Sequence, residues 1–194
     1  MSDRFTITPT PLAGLVTITR HPRCDDRGEF ERLFCEHDLA AVLPSGRRVV
    51  QSNRTLTRVA GTVRGMHFQR PPHEETKIVT CLRGRVFDVA VDLRPASPTR
   101  FRWHAVELSA ERRNALLVPE GFAHGFQSLT ADCELLYFHT AAWNAAAEAA
   151  LHPLDPAVGV RWPLPVAGMS ERDRNHPLLA AANQQPPRTG QEAA

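Results

Sequence analysis

No stretch of the sequence approaches the roughly 20 consecutive apolar residues that a membrane-spanning helix requires. The first six residues contain no apolar segment of the kind found in secretory signal peptides. These two absences predict a soluble, intracellular protein that has no membrane partner.

The sequence also has little excess of positive over negative charge. The formal net charge is +2 at pH 7, and no run of like charge reaches five residues. Such a balance gives no reason to expect binding to nucleic acid or to a membrane surface. The arginines are scattered along the chain, a pattern that still allows recognition of an anionic small molecule.

Cysteine is scarce and unpaired in sequence. The four cysteines contain no CxxC motif; they are Cys24, Cys35, Cys81 and Cys133. In a chain of this length the spacing predicts reduced thiols and a cytoplasmic location.

Helical periodicity is rare, and short strand patterns take its place. A length of 194 residues suits one domain with a sizeable core, which we expect over residues 1–180. Residues 181–194 have little to bury and are predicted to be disordered. Alternating segments bounded by Gly and Pro predict strands at residues 14–19, 49–55, 61–68, 77–82, 85–93, 102–108, 115–118 and 133–140.

The few non-strand segments predict peripheral structure. Short helices are expected at residues 36–43 and 144–151, the second with Asn144 as its N-cap. Residues 152–178 are rich in Pro, Asp and Trp and predict irregular wrapping. Many short strands with little helix predict an all-β sandwich or barrel.

Two histidine motifs stand out in this strand-rich sequence. Thr62-Val-Arg-Gly-Met-His-Phe-Gln69 contains His67, and Pro119-Glu-Gly-Phe-Ala-His-Gly-Phe126 contains His124. An apolar, aromatic setting removes water from an imidazole and favours its neutral form, which accepts protons. Arg64 precedes His67 by three residues, so the two can face one site only if the strand bends or bulges between them. The alternative is that both histidines are structural.

A metal centre is a second alternative. Residues 119–124 have the spacing Pro-x-Gly-x-x-His, which resembles the second motif of the cupin jelly rolls. The first cupin motif supplies His-x-His and a Glu, whereas here His67 stands between Met66 and Phe68. A metal would therefore need further ligands, for which His73 and Glu74 are candidates. We expect no metal.

The order of the motifs identifies a resemblance. The sequence closely resembles the dTDP-4-dehydrorhamnose 3,5-epimerase family from about residue 15 to residue 178. The matching motifs are Asp26-Arg-Gly-x-Phe30, Gln51-x-Asn53, Gly61 to Gln69, Lys77-Ile-Val, Gly84 to Arg94, Ser97-Pro98, Leu108-Ser, Pro119 to Phe126, Trp162-Pro163 and Ser170-Glu-Arg-Asp173. A lone Pro-x-Gly-x-x-His would be weak evidence, but this series in this order is specific.

The resemblance implies a fold, a reaction and a set of site residues. It implies a cupin-type double-stranded β-helix (jelly roll) with short peripheral helices, homodimeric and free of metal and other cofactors. The implied substrate is a dTDP-linked 4-keto-6-deoxyhexose of rhamnose or other deoxysugar biosynthesis. His67 would be the base, Asp173 its partner, and Lys77 the cation beside the enolate. Residues implied in substrate binding are Arg27, Gln51, Asn53, Arg64, His124 and Tyr137.

Two residues depart from the family pattern. Trp143 stands where the family has a tyrosine that acts as general acid, and an indole does not titrate near neutral pH. We expect Trp143 to form an aromatic wall of the pocket. Arg32 stands where an acidic residue is usual. Three explanations are open: epimerisation of one centre (C3 or C5), a related keto-sugar isomerase, or sugar-nucleotide binding without turnover. His139 is a candidate replacement acid, because alternation puts it on the same side as Tyr137.

Overall fold

The computed structural model describes residues 3–179, which form two facing antiparallel β-sheets. The strands are β1 (Phe5–Pro9), β2 (Val16–Arg20), β3 (Arg23–Asp25), β4 (Gly28–Phe30), β5 (Gln51–Thr57), β6 (Val63–Gln69), β7 (Lys77–Arg83), β8 (Arg85–Asp92), β9 (Trp103–Ser109), β10 (Asn114–Val118), β11 (Phe122–Ser128), β12 (Cys133–His139) and β13 (Glu148–Ala150). One sheet has the order β1-β2-β10-β7-β12-β5 and the other β13-β6-β11-β8-β9, while β3 and β4 form a separate hairpin. The predicted all-β jelly roll is confirmed.

Alternation along the strands builds a core between the sheets. Val79 and Leu135 of the six-stranded sheet meet Ala90 and Phe126 of the five-stranded sheet, and all four are buried. Because side chains alternate across a strand, Lys77 lies on the same inner face as Val79. Polar side chains at this end of the strands therefore point into the space between the sheets.

The outer faces of both sheets are also covered. Ile18, Ile78 and Leu117 pack under Leu39, which belongs to the connection between β4 and β5. On the other sheet, Val89 and Val91 pack with Leu151 and with residues further along the chain, including Trp162. Burial on both faces explains why β10 is apolar on both sides rather than strictly alternating.

The helix predicted at residues 36–43 is wrong. This segment is a series of turns, in which the Leu39 and Leu43 amides each donate to a carbonyl four residues back, at 3.0 and 3.1 Å. The amides of Ala40 and Val42 instead donate to carbonyls three residues back. A helix requires consecutive bonds of the first kind, and Pro44 restricts the last residue before it.

The helix predicted at residues 144–151 is also wrong. The Asn144 side chain does accept hydrogen bonds from the amides of Ala146 and Ala147, at 2.9 and 3.2 Å, but it caps a single turn. Residues 148–150 then form β13, which pairs with the edge of β6. The unpaired backbone groups of β6 need partners, and alanines offer little resistance to an extended conformation.

One short helix occurs where irregular wrapping was expected. It is α1 (Glu171–Arg174), and the Ser170 hydroxyl at its N-cap accepts the Asp173 amide at 3.0 Å. Within residues 3–179, no helix is long and apolar enough to cross a membrane. The four cysteines are free, in agreement with the prediction. The tail predicted to be disordered, residues 181–194, lies outside the described residues.

Candidate active site

A pocket of about 250 Å³ opens between the two sheets at the end where the polar side chains converge. Nine of the ten residues predicted for the site line it or contact a residue that does. Those lining it are Gln51, Asn53, Arg64, His67, Lys77, His124, Tyr137 and Trp143, and Asp173 contacts His67 from behind. Residues far apart in sequence thus meet in one pocket.

A β-bulge allows Arg64 and His67 to share this pocket. His67 pairs with His124 and Arg64 pairs with Phe126, so two residues of β6 oppose the single Gly125 of β11. Gly65, in the bulge, has φ +135°, a conformation that favours glycine, and a Cβ there would lie 2.5 Å from the Gly125 Cα. The bulge foreseen as the condition for a shared site is therefore present.

His67 and Asp173 form a hydrogen-bonded pair. The Nε2 of His67 lies 2.7 Å from Oδ1 of Asp173, and the Gly65 amide donates to the other carboxylate oxygen at 3.4 Å. The His67 side chain is 34% exposed and that of Asp173 only 5%. Burial alone would raise the pKa of Asp173, but the hydrogen bond and charge of His67 outweigh it and hold that pKa below its ordinary value. The carboxylate therefore fixes the ring and leaves its Nδ1 to take a proton.

Lys77 lies beside this pair. Its ammonium donates to the backbone carbonyl of His67 at 3.3 Å and lies 3.1 Å from Oε1 of Glu75. The side chains of Lys77 and Glu75 are each 9% exposed. A cation held in a partly dry pocket can stabilise an oxyanion that forms next to it.

His124 and Tyr137 form the floor of the pocket. The Nε2 of His124 lies 2.9 Å from Oδ1 of Asp88, whose side chain is fully buried. Burial raises the pKa of Asp88, and it also raises the pKa of the Tyr137 phenol. The Tyr137 ring meets the His124 ring edge-on, with centroids 6.1 Å apart. Tyr137 therefore keeps its proton at neutral pH.

Comparison with known proteins identifies the family. The profile of the dTDP-4-dehydrorhamnose 3,5-epimerase family matches residues 9–181. The chain belongs to this family. A dTDP-4-dehydrorhamnose 3,5-epimerase of Sinorhizobium fredii is 44% identical over 157 residues, which are 80% of each chain. A dTDP-4-dehydrorhamnose 3-epimerase of Streptomyces niveus is 37% identical over 176 residues, 91% of this chain and 84% of the relative.

The solved structures agree with the sequence relatives. The crystal structure of a Legionella pneumophila dTDP-6-deoxy-D-glucose-3,5-epimerase, in complex with dTDP-4-keto-L-rhamnose, superimposes with a TM-score of 0.85 at 34% identity. It covers 96% of this chain and all of the other. The predicted function, a sugar-nucleotide epimerase of the 3,5-epimerase type, is confirmed at the level of the family. The chain is accordingly an enzyme of the isomerase class.

The two residues that depart from the family pattern, and one that matches it, lie at the rim of the pocket or away from it. Trp143, in the place of the family tyrosine, is 58% exposed at the pocket, and its amide donates to the Gln51 side chain at 2.9 Å. Arg32 lies outside the pocket lining and donates to Asp38 at 2.8 Å. Arg27 lies on the β3–β4 hairpin, where its side chain is 89% exposed and paired with Asp25 at 2.5 Å. The structure does not bring Arg27 to the pocket of its own chain.

Sequence reasoning missed the carboxylates that hold the pocket bases and cations. Asp88 lies within the strand predicted at residues 85–93 and Glu75 in the loop before β7, and neither was assigned to the site. A carboxylate on the core-facing side of a strand, or two residues before a predicted catalytic lysine, is the signal that could have found them. His73, a candidate ligand in the metal-centre alternative, is exposed, and its Nε2 lies 3.3 Å from the Asn144 side chain. It does not join His67 and His124 in the pocket.

Proposed function

We propose that the pocket binds a dTDP-linked 4-keto-6-deoxyhexose and that His67 removes a proton from a carbon beside its C4 ketone. The observation that carries this proposal is the 2.7 Å contact between His67 and the buried Asp173 at the wall of the pocket. The substrate class is supported by the Legionella relative, whose complex contains dTDP-4-keto-L-rhamnose.

The chemistry follows from the ketone. It acidifies the hydrogens at C3 and C5, because the electron pair left on carbon moves onto the carbonyl oxygen as an enolate. In this proposal Nδ1 of His67 takes the proton, Asp173 stabilises the imidazolium through Nε2–H, and Lys77 stabilises the enolate oxygen. Return of a proton to the opposite face inverts the carbon and regenerates the ketone.

The remaining lining residues suit the nucleotide and the sugar. Arg64 offers a forked cation for the diphosphate, and Gln51 and Asn53 offer amides. His124 and Tyr137 lie deep enough to contact the sugar, and Trp143 at the rim provides an aromatic wall. We propose these six as the substrate-binding set of the chain's own pocket.

The test is the reaction of dTDP-4-keto-6-deoxyglucose in deuterated water, followed by NMR. Epimerisation at both centres is expected to give an inverted product with deuterium at C3 and C5. Deuterium at C3 alone would select the one-centre epimerase that the Trp143 departure suggests and that the Streptomyces niveus relative's name describes. If the protein binds the ligand but no deuterium enters C3 or C5, the proposed enzymatic activity is contradicted and the chain is a sugar-nucleotide-binding protein.

We further propose a homodimer in which Arg27 serves the pocket of the second copy. The family resemblance implies Arg27 in nucleotide binding, yet in its own chain it lies on an exposed hairpin that lines a separate groove. Phe30, at the end of the same hairpin, is 62% exposed. A symmetric dimer in which the β3–β4 hairpin of each copy packs against the pocket of the other copy would bury Phe30 and bring Arg27 to that pocket.

Arg27→Ala is expected to weaken dTDP binding about 10- to 100-fold, the effect of losing a charge-assisted hydrogen bond to phosphate. A heterodimer of Arg27→Ala and His67→Ala chains, isolated with two different tags, would have one intact pocket and one doubly altered pocket. At a substrate concentration below the wild-type KM it should therefore recover about half of the wild-type activity, although under the same conditions the Arg27→Ala homodimer has about a tenth or less of that activity and the His67→Ala homodimer is nearly inactive. Arg112→Ala, which removes another exposed arginine, is the control and should stay fully active. A heterodimer with no recovered activity would refute the shared site.

A further inference from the structure

A second histidine lies behind the His67–Asp173 pair. The Nε2 of His176 lies 3.6 Å from Oδ1 of Asp173, the same oxygen that Nε2 of His67 contacts at 2.7 Å. The two imidazole rings meet edge-on, with centroids 6.1 Å apart and planes at 80°. Asp173 therefore stands between two histidines, and the proposed reaction uses only His67.

The Nε2 atom of His176 is buried and has no hydrogen-bond partner among residues 3–179. The His176 side chain as a whole is 17% exposed, and 3.6 Å is too long for a hydrogen bond to Asp173. Buried polar atoms in native proteins nearly always have a partner, so an unpaired one requires an explanation. A cation bound between His176 and Asp173 would supply that partner.

His67, Asp173 and His176 together offer the ligands of a zinc site. One ligand atom from each residue lies within 4.8 Å of the other two. Zn²⁺ binds imidazole nitrogen and carboxylate oxygen at about 2.0–2.2 Å, and two histidines with one carboxylate form a three-ligand set that leaves a fourth position open. Two ligand atoms of one ion are thus at most about 4.2 Å apart, so shifts of about half an ångström bring all three into range.

The His67–Asp173 pair is reached from a second side of the molecule. A surface depression of about 450 Å³ beside α1 is lined by His67 and Asp173, and it adjoins the substrate pocket, because His67 and Arg64 line both. Arg172 also lines the depression, but Glu148 pairs with it at 2.5 Å and offsets its charge. A small cation can therefore approach Asp173 without passing through the substrate pocket.

The other histidine–carboxylate pairs of the pocket offer fewer ligands. His124 pairs with Asp88 at 2.9 Å, and Nδ1 of His139 lies 2.8 Å from Oε2 of Glu75, which is also paired with Lys77. Among residues 3–179, no second group of three histidine, cysteine, aspartate or glutamate side chains brings its ligand atoms this close together. A metal ion that binds the described part of the chain is therefore expected at His176.

We propose that His67, Asp173 and His176 bind a zinc ion, with solvent in the fourth position, and that this ion inhibits the enzyme. In the proposed mechanism Nε2–H of His67 donates to Asp173 and Nδ1 is bare. Coordination requires Nε2 to lose its proton to solvent, and the neutral ring then takes up a proton on Nδ1. A ring that carries Nδ1–H cannot accept a proton from the substrate. The inhibition rests on the proposed function of the pocket, whereas the zinc site does not.

Zinc binding is tested without substrate, by calorimetric titration of the full chain with Zn²⁺ at about pH 7.5, where an ordinary histidine is neutral. We expect one ion per chain and shifts in the NMR signals of the His67 and His176 ring protons. His176→Gln keeps a polar side chain but loses the nitrogen ligand. Its zinc affinity should fall at least about 10-fold, because even the loss of a residue that only supports a ligand costs about 10- to 100-fold.

The matched control is His104→Gln. His104 is also a half-buried histidine, but it lies on β9, two strands away from β6 in the five-stranded sheet. This variant should bind zinc as the wild type does. Zinc retained in His176→Gln, or lost equally in His104→Gln, would place the ion elsewhere and overturn the proposal.

Kinetics give the second readout. The free Zn²⁺ concentration is set with a chelating buffer, because the diphosphate of the substrate also binds zinc. Saturating Zn²⁺ should lower kcat and deuterium exchange together by about 10²-fold or more, as loss of the base would, and leave dTDP affinity nearly unchanged. Excess chelator should restore the wild type, and His176→Gln should be active without zinc and resist it.

The outcomes separate the site from the reaction. A wild-type protein that binds no zinc, or binds it without shifting the ring protons of both histidines, would overturn the site. Zinc bound at these residues with unchanged kcat would overturn the inhibition. If His176→Gln does not fold, the ring-proton shifts of the wild type decide. A wild type that binds zinc here but has no epimerase activity would refute the proposed function and leave the zinc site in place.

Discussion

Replacement of His67 by alanine is expected to slow epimerisation by about 10²- to 10⁴-fold, the range for loss of a positioned general base. It should also remove deuterium exchange at C3 and C5, because His124, the other lining histidine on that wall that pairs with a buried carboxylate, is only 5% exposed against 34% for His67. The measurement is NMR of substrate and product after incubation in deuterated water. His73→Ala removes an exposed histidine outside the pocket and should leave both rates unchanged.

Asp173→Asn tests the partner rather than the base. The carboxylate accepts Nε2–H of His67 and so leaves Nδ1 bare, whereas an asparagine amide can donate to Nε2 and put the proton on Nδ1 instead. The expected result is a loss of about 10²-fold or more in kcat with dTDP binding preserved.

Exchange that persists unchanged in His67→Ala would contradict the base assignment. An active Asp173→Asn would contradict only the positioning role.

The pH dependence of the His67–Asp173 pair has a definite sign. The pKa of Asp173 is depressed below its ordinary value near 3.8, so its charged form and the stability it contributes are complete above that pH. Both are lost as the pH falls through the lower folded-state value. An acidic fall in kcat above pH 5 would therefore report a group other than Asp173.

The sequence was sufficient for those features that depend on local patterns. Alternation located eight of the strands within about two residues at each end, the usual error of element boundaries. It also located His139 beside Tyr137, which the 5.9 Å ring contact confirms. The Arg64–His67 spacing required a bulge, and Gly65 and Gly125 supply it, because neither position has room for a Cβ.

What the sequence could not give depends on long-range contacts. The helix expected at residues 144–151 had suitable composition, yet the open edge of β6 drew residues 148–150 into the sheet. The partners Glu75 and Asp88 carry no local signal of the histidines they hold, since the contacts span 64 and 36 residues. In the proposed dimer the role of Arg27 depends on a second copy of the chain, which no pattern within one copy can specify.

Lys77→Met is expected to lower kcat by about 10²- to 10³-fold, the usual cost of removing one oxyanion-stabilising group. In the proposed mechanism the ammonium interacts more strongly with the enolate oxygen than with the neutral ketone, so the loss should fall on kcat and leave dTDP affinity nearly unchanged. Lys77→Arg keeps the charge and should retain more activity than Lys77→Met, although its planar group fits the same space less well. Steady-state kinetics and dTDP titration together show how much of the loss falls on kcat and how much on binding.

The same variant distinguishes the enolate from the proton donor. Deuterium exchange and inversion both pass through the enolate, so Lys77→Met should slow the two processes by the same factor. Loss of the group that returns the proton on the opposite face should slow inversion alone, since exchange needs only His67. If Lys77→Met instead raised KM with kcat unchanged, Lys77 would be a binding residue for the ground state. The enolate would then need another source of positive charge. Arg64 is the other cationic side chain among the residues that line the pocket.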